Sequence, residues 1–350
     1  MTERPTLHIV SNADERFYPG LAVAVASAVA AASGKYDYHI RILDGGLQPE
    51  SISQLRATVE SIATKKGIRA VLETLEVDQN RLMKLPTLRG SLMTYAKLML
   101  PEMLPHLDAM VYLDADVLCF KGLEAAHPPE VEQSQWLLAG ARDHIDIIGN
   151  DCPWARDLSP VERQLPYINA GIMWMNLRGL RELREASRTG NSSSLLDLTA
   201  KLLHDLVETQ KFRHDQTVFN FLCRGKSFIL PESINHRTSI GSTRPLCEGS
   251  LDLNLHYIGS PKPWLGAPKT SNWLAHRLWH QARASLFPET GESMNVPPPR
   301  DLAEIRRKAM AYRLFNPVRA THYRSDLHSL NDPSGVIEEA QDHWHTFIRR

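Results

Sequence analysis

The chain has 350 residues, enough to bury a large core as one big domain with an extension or as two domains. Forty Lys and Arg balance forty Asp and Glu, so formal charge is zero at pH 7, and 43% of residues are hydrophobic. This is ordinary soluble globular composition, with no basic excess to argue for nucleic acid.

Four cysteines, Cys119, Cys152, Cys223 and Cys247, form no C-x-x-C pair and are too sparse for a disulfide framework or zinc ribbon. A reducing cytoplasm is therefore the expected location. Leu7 to Val10 reads as a buried strand, followed by the polar loop Asn12 to Arg16. Leu21 to Ala32 is apolar, but a bilayer span needs about 20 such residues and a signal peptide begins nearer the terminus behind basic residues. It is expected to be a buried helix stopped by Gly34. Tyr38, Ile40 and Ile42 alternate with polar residues as a second strand that breaks at Asp44-Gly45-Gly46. Pro49 opens a helix whose apolar positions Ile52, Leu55, Val59 and Ile62 step by three and four before Gly67. This alternation predicts an α/β layer with partly parallel strands and a ligand crevice at their carboxyl ends.

Ala70 to Val77 continues as strand, Thr94 to Leu100 as a short helix, and Val111 to Leu118 as a strand interrupted by acids. Trp136 to Ala139 and Gly171 to Leu177 are further apolar runs. Leu195 to Val207 reads as a surface helix, and Phe228 to Leu230 and Leu253 to Ile258 complete a sheet. His276 and His280, spaced i, i+4, read as surface residues, because no third ligand or intervening glutamate accompanies them. Composition shifts at Pro288, so a compact domain over 1–287 and an extension over 288–350 are expected. The extension starts with a Pro-rich linker through Pro299. Asp301 can cap a helix presenting Leu302, Ile305, Ala309, Tyr312 and Phe315, and from Arg300 to Arg324 seven basic residues face two acids. Such a helix suits peripheral contact with the inner, anionic face of a membrane, or else packs on its own domain with a solvated basic face. His343-Trp344-His345 is expected in a mobile, partly exposed tail.

Within the strand Val111 to Leu118, Asp114 and Asp116 are spaced i, i+2, which puts both carboxylates on one face about 6 to 7 Å apart. A divalent cation bridges that distance and relieves the repulsion between the two charges. The pair acquires meaning from three later stretches. Leu255-His256-Tyr257-Ile258-Gly259-Ser260-Pro261-Lys262-Pro263 offers an imidazole, a glycine where backbone can approach a ligand, and a lysine. Tyr167-Ile168-Asn169-Ala170-Gly171 and His214-Asp215-Gln216-Thr217 lie between.

These motifs and their order resemble the family 8 glycosyltransferases, which include bacterial lipopolysaccharide galactosyl- and glucosyltransferases and glycogenin. The resemblance covers roughly residues 6 to 265. It implies a GT-A fold, a Rossmann-like mixed central sheet flanked by helices, here with a helical C-terminal extension, binding a UDP-sugar through Mn²⁺. Asp114, Asp116 and His256 match the family's metal ligands, and oxygen ligands with one imidazole suit Mn²⁺ better than Mg²⁺, which stays possible. Lys262 and the backbone at Gly259 match diphosphate contacts. Asp14 falls where an acid meets the uracil edge and Phe17 where a ring stacks on the base, with Glu15 and Arg16 replacing the usual Asp and Asn. Lys97 stands at a position that is usually arginine, and ammonium cannot fork two bonds as guanidinium does. Asn169, Ala170 and Gly171 match residues lining the donor sugar.

The resemblance implies transfer with retention of configuration from a UDP-hexose, glucose or galactose, to a hydroxyl of a saccharide or other acceptor. Asp215 would bind sugar hydroxyls and Gln216 would lie beneath the anomeric carbon. An amide is a poor nucleophile, so same-face attack by the acceptor as UDP departs fits better than a covalent intermediate. Thr217 replaces a second acid that is frequent in the family. Asp143 is a further candidate for contacting donor or acceptor, or an ordinary salt-bridge partner. Two alternatives accompany this reading: a sugar-nucleotide-binding protein without turnover, and a haloacid-dehalogenase-like phosphatase, which lacks its downstream acidic motif here.

Overall fold

The computed structural model describes residues 4–83, 85, 91–129, 135–150, 152, 154, 157–186, 194–204, 214–238, 246, 251–259, 261–266, 273–291, 302–315, 317, 320, 323, 324, 327 and 334–348. Its first elements keep the expected alternation: β1 (Thr6–Ala13), α1 (Tyr18–Ala30), β2 (Asp37–Asp44), α2 (Pro49–Lys66) and β3 (Ala70–Glu76). Proline opens α2, and Gly67 at φ 64° closes it in the left-handed conformation that glycine adopts without strain. After β4 (Ala109–Leu113) and β5 (Val117–Cys119) the order of strands continues with β6 (Leu138–Ile147), β7 (Pro166–Asn176), β8 (Ser227–Leu230), β9 (His236–Arg237) and β10 (Asn254–His256). The longer helices that follow are α3 (Leu177–Ala186), α4 (Leu195–His204), α5 (His214–Leu222), α6 (Trp273–Leu286), α7 (Leu302–Phe315) and α8 (Ser334–Ile348).

Seven strands form a mixed sheet in the order β3-β2-β1-β4-β7-β6-β8. β1 pairs in parallel with β2 on one side and β4 on the other, and β7 runs antiparallel to both β4 and β6. Strand order therefore reverses between β1 and β4, which opens a crevice beyond their carboxyl ends. Side chains alternate between two apolar layers: Ile9 and Leu113 enter one, Val10 and Tyr112 the other. α1 has no polar face along most of its length, and it is enclosed accordingly, with every residue from Gly20 to Ala30 buried. Among the described residues no helix is long and apolar enough to cross a membrane.

A second sheet, β5-β10-β9, sits beside the crevice. β10 pairs antiparallel with β5, setting His256 opposite Val117, the residue after Asp116.

Several expectations change in the folded chain. The short helix expected at Thr94 to Leu100 takes the 3-10 form over residues 93–99, with a single α-turn following at Leu100–Met103. α4 turns Leu195, Leu196 and Leu203 into the core and leaves Asp197, Leu198 and Ala200 part-exposed. His276 is fully buried rather than exposed. Trp344 is fully buried as well, packed 5.1 Å from the Phe120 ring, so this stretch is a core element and not a mobile tail. The part of the Pro-rich linker over 292–301 lies outside the described residues.

Candidate active site

The crevice between β1 and β4 is a cavity of about 370 Å³, bordered by Asn12 and Asp14 from the first strand and by Asp114 and Asp116 after the fourth. The Asp114 N–H donates to the Gly171 carbonyl at 2.8 Å, which extends the β4–β7 ladder one residue past the strand and holds the aspartate loop open toward the crevice. From the second sheet, Tyr257 N–H donates to the Asp116 carbonyl at 2.9 Å. These backbone bonds bring Asp114, Asp116 and His256 together, with one potential ligand atom from each lying within 4.8 Å of the others.

His256 approaches both carboxylates with one nitrogen: Nε2 is 3.2 Å from Asp116 Oδ1 and 3.8 Å from Asp114 Oδ2. Two ammonium groups complete the charge pattern. Lys262 donates to Asp116 and to the Tyr257 carbonyl, while Lys97, buried, pairs with Asp114 at 3.2 Å and with Asp215 at 2.8 Å. Burial opposes charge on Asp116, but Lys262 and His256 outweigh it and hold that carboxyl well below the usual range. Burial, with Asp116 nearby, instead pushes Asp114 up against the pull of Lys97. Burial works against the Lys97 charge too, yet Asp114 and Asp215 keep the ammonium well above its ordinary pKa. Two carboxylates and one imidazole aimed at the same space form a donor set that fits Mn²⁺.

Behind the imidazole lies Asn169. Its Oδ1 accepts from the Gly171 N–H at 3.0 Å and from Asn235 Nδ2 at 2.8 Å, and it contacts His256 Nδ1 at 3.0 Å. Its Nδ2 donates to Asp143 Oδ2 at 2.7 Å. Asn169 is buried against the histidine and does not border the crevice. Gly171 serves the same contact, since a Cβ there would lie 2.3 Å from the imidazole.

Gln216 is fixed at both ends: Oε1 accepts from the Ala170 N–H at 3.0 Å, and Nε2 donates toward Asp143 Oδ2 at 3.4 Å. Asp215 also accepts from Thr94 Oγ1. Thr217 turns away from the site and bonds the Tyr167 hydroxyl at 2.9 Å in the core. Asp143 is buried. Burial disfavours its charge, but the Asn169 amide, His144, the Ile145 N–H and Arg237 together keep its carboxyl below the usual range.

At the other end, Asp14 accepts from the Phe17 N–H at 3.1 Å and so caps the short turn that carries Arg16 and Phe17 along the crevice. Phe17 packs edge-on against Trp264 at 5.7 Å. Glu15 points elsewhere, accepting from Gln48 N–H and Ser51 Oγ at the start of α2. Gly259 turns the chain at φ 83°, and Lys262 follows it along the crevice wall.

Three participants escaped the sequence reading. Asn12 is pinned between the Tyr112 hydroxyl and the Met93 carbonyl, and the polar pattern Asn12-x-Asp14 at a strand end was its signal. Arg237 sits on a two-residue strand too short to show periodicity, and Asn235 directly precedes that strand.

Comparison with known proteins agrees with this architecture. The profile of glycosyl transferase family 8 matches residues 8–267. A lipopolysaccharide 1,2-glucosyltransferase of Escherichia coli is 25% identical over 278 residues, covering 75% of each chain. A putative glycosyltransferase of Haemophilus influenzae is 23% identical over 265 residues, covering 74% of this chain and 73% of the relative. Among solved structures, the galactosyltransferase LgtC in complex with donor and acceptor sugar analogs superposes with a TM-score of 0.60 at 20% identity, over 80% of this chain and 96% of that one. The bifunctional WbbM enzyme superposes at 0.59 with 17% identity over 83% of this chain, which spans only 52% of its length. With the fold shared and the family profile running from β1 past the Lys262 segment, this chain belongs to glycosyl transferase family 8 and has the GT-A fold.

Proposed function

We propose that this chain transfers a hexose, glucose or galactose, from a UDP-sugar to a saccharide hydroxyl with retention of configuration and with Mn²⁺ bound. The observation that carries this reading is the convergence of Asp114, Asp116 and His256 Nε2 at the carboxyl ends of β1 and β4. The name of the Escherichia coli relative supports a glucose donor and a saccharide acceptor.

Asp114, Asp116 and His256 would hold the metal, which when bound supplies positive charge to the departing diphosphate. Lys262, already in the crevice wall, adds a point charge there. Phe17 offers a ring for base stacking and Asp14 a carboxylate for the base edge. Lys97 holds Asp215 in place for sugar hydroxyls. Gln216, its amide locked by Ala170 and Asp143, presents a neutral dipole beneath the anomeric carbon, which supports same-face attack.

α7 supports a second part of the reading, contact with an anionic membrane. Met310, Leu314 and Phe315 are exposed beside Arg306, Arg307 and Arg313. Ala309 and Tyr312, by contrast, pack on Tyr323.

The test is UDP release from UDP-glucose and UDP-galactose with Mn²⁺, with and without EDTA and acceptor saccharides. Metal-dependent release is expected. Binding without release, acceptors included, would make the chain a sugar-nucleotide binder, and absence of UDP binding would overturn the reading.

A further inference from the structure

The small sheet that delivers His256 delivers a second cation. β9 runs parallel to β10, with His236 opposite Leu255 and Arg237 opposite His256. Leu255 belongs to the core and His236 is buried with it. Alternation along the strand then puts Arg237 on the face of His256. Asn235, two residues earlier, shares that face and reaches Asn169.

Arg237 is 6% exposed, and among the described residues its guanidinium has no hydrogen bond or ion pair. The site carboxylates are all taken. Asp143, whose charge Arg237 influences, receives four donors: Ile145 N–H and His144 Nδ1 on Oδ1, Asn169 Nδ2 and Gln216 Nε2 on Oδ2. Four is the acceptor capacity of a carboxylate. Lys97 holds Asp114 and Asp215, and Lys262 holds Asp116. The Arg237 fork of five N–H donors thus lies buried within electrostatic reach of the Asp143 carboxylate but with no acceptor bonded to it among the described residues, an arrangement that is costly unless an acceptor arrives from outside the chain. Its nitrogens are not among the enclosed, unpartnered polar atoms, so the accessible remnant of the residue includes the guanidinium edge.

We propose that Arg237 is the recognition residue for an anionic substituent, a carboxylate or a phosphate, carried by one of the saccharides that this site brings together. Guanidinium matches either group through two parallel N–H···O bonds. The diphosphate is not its target: the crevice assigned to it is bordered by Asp114, Asp116, Gly259 and Lys262, and Arg237 lies outside that border beside the Asp143–Asn169 pair. The substituent belongs either to the acceptor, as a sugar phosphate, or to the donor, as the C6 carboxylate of a hexuronate in place of the neutral hexose proposed above. This inference rests on the donor-binding reading of the crevice.

Calorimetric titration with Mn²⁺ present separates the sources. One arm compares UDP-glucuronate with UDP-glucose; the other, at saturating UDP, compares glucose 6-phosphate with glucose. One charged probe is expected to bind about tenfold more tightly than its neutral counterpart, as a hydrogen bond to a charged group provides. Arg237→Gln is expected to erase that preference, and Arg237→Lys, which keeps the charge but loses the fork, to retain part of it. A melting transition like that of the wild type shows that each variant is folded. No preference in either arm, or a preference that survives in Arg237→Gln, overturns the proposal. UDP that fails to bind at all overturns the donor reading itself, and this inference with it.

Discussion

His256 Nδ1 donates to Asn169 Oδ1 at 3.0 Å, and this one bond determines which nitrogen faces the aspartates. The assignment follows from the backbone. Gly171 N–H is a donor only, so the Asn169 atom it meets is the oxygen, and the imidazole nitrogen that meets the same oxygen must carry the proton. Nε2 is thereby the nitrogen turned toward Asp114 and Asp116, and the one that would ligate a metal bound there. Asn169→Ala is therefore expected to weaken Mn²⁺ binding by about 10- to 100-fold, the usual effect of removing such an orienting partner. Titration of free Mn²⁺ by electron paramagnetic resonance measures it; unchanged affinity would contradict the role.

Gly171, two residues along β7, meets the same ring. A Cβ at that position would lie 2.3 Å from His256 Cε1 and Nδ1, closer than any real contact, so Gly171→Ala must displace the imidazole or the strand. Loss of the Mn²⁺-dependent rise in melting temperature is expected, together with about 1 to 3 kcal/mol of destabilisation from overpacking. A metal-dependent rise equal to that of the wild type would show that the ring had not moved.

Lys97 joins two carboxylates in a buried position and lies 4.2 Å from the centre of the Tyr112 ring. Lys97→Met leaves Asp114 and Asp215 facing each other without their counter-charge, so about 3 to 5 kcal/mol of stability should be lost, as when one partner of a buried pair is removed. Chemical denaturation at neutral pH checks this. Arg in the same place keeps the charge, and retention of stability by Lys97→Arg with loss by Lys97→Met would identify the charge as the cause.

His276 governs a pH effect far from the chemistry. It is fully buried with neither ring nitrogen bonded, and burial, with smaller contributions from His280 and Lys262, lowers its pKa from 6.5 to about 3. Between those values the unfolded chain binds a proton that the folded chain refuses, so stability falls as pH drops from 6.5 toward 3, by at most about 1.4 kcal/mol per pH unit. His276→Leu should flatten that slope, and at pH 7 it should be neutral or stabilising, because it removes two unsatisfied polar atoms. An unchanged slope in urea melts at pH 5 and pH 7 would refute the assignment.

The membrane reading has its own measurement. Vesicles containing phosphatidylglycerol should carry the protein down in sedimentation, whereas phosphatidylcholine vesicles should not, and added salt should release it. Replacing Met310, Leu314 and Phe315 together by Ser is expected to weaken the association about a thousandfold or more, since each side chain of this kind contributes about 1.5 to 3 kcal/mol when fully buried. Equal sedimentation of wild type and triple variant would remove α7 from the contact.

Much of this architecture is legible in the residues. The α/β alternation of the first 76 positions follows from apolar spacing together with Gly34, Gly46 and Gly67 at the breaks, because period and punctuation are local properties. The juxtaposition of Asp114 and Asp116 with His256 is legible only through the resemblance of the motif order to family 8, since no local rule links residues so far apart in sequence. Depth is where the reading failed. Strand alternation says which face Asn169 takes but not that a histidine fills the space in front of it. His276 reads as a surface residue by its own polarity and Trp344 by its polar neighbours, and only the docking of α6 and α8 on the core submerges them. β9 contributes two residues to pairing, so nothing marked Asn235 or Arg237 in advance.

Trp344 has a bearing on how the protein is made and handled. It lies against Phe120, four residues beyond Asp116 and just past the end of β5, the strand that pairs with the His256 segment. A fragment released before α8 would carry every motif of the active centre yet lack the wedge behind it. Premature termination in the 330s should therefore yield aggregation-prone material and not a shorter working enzyme.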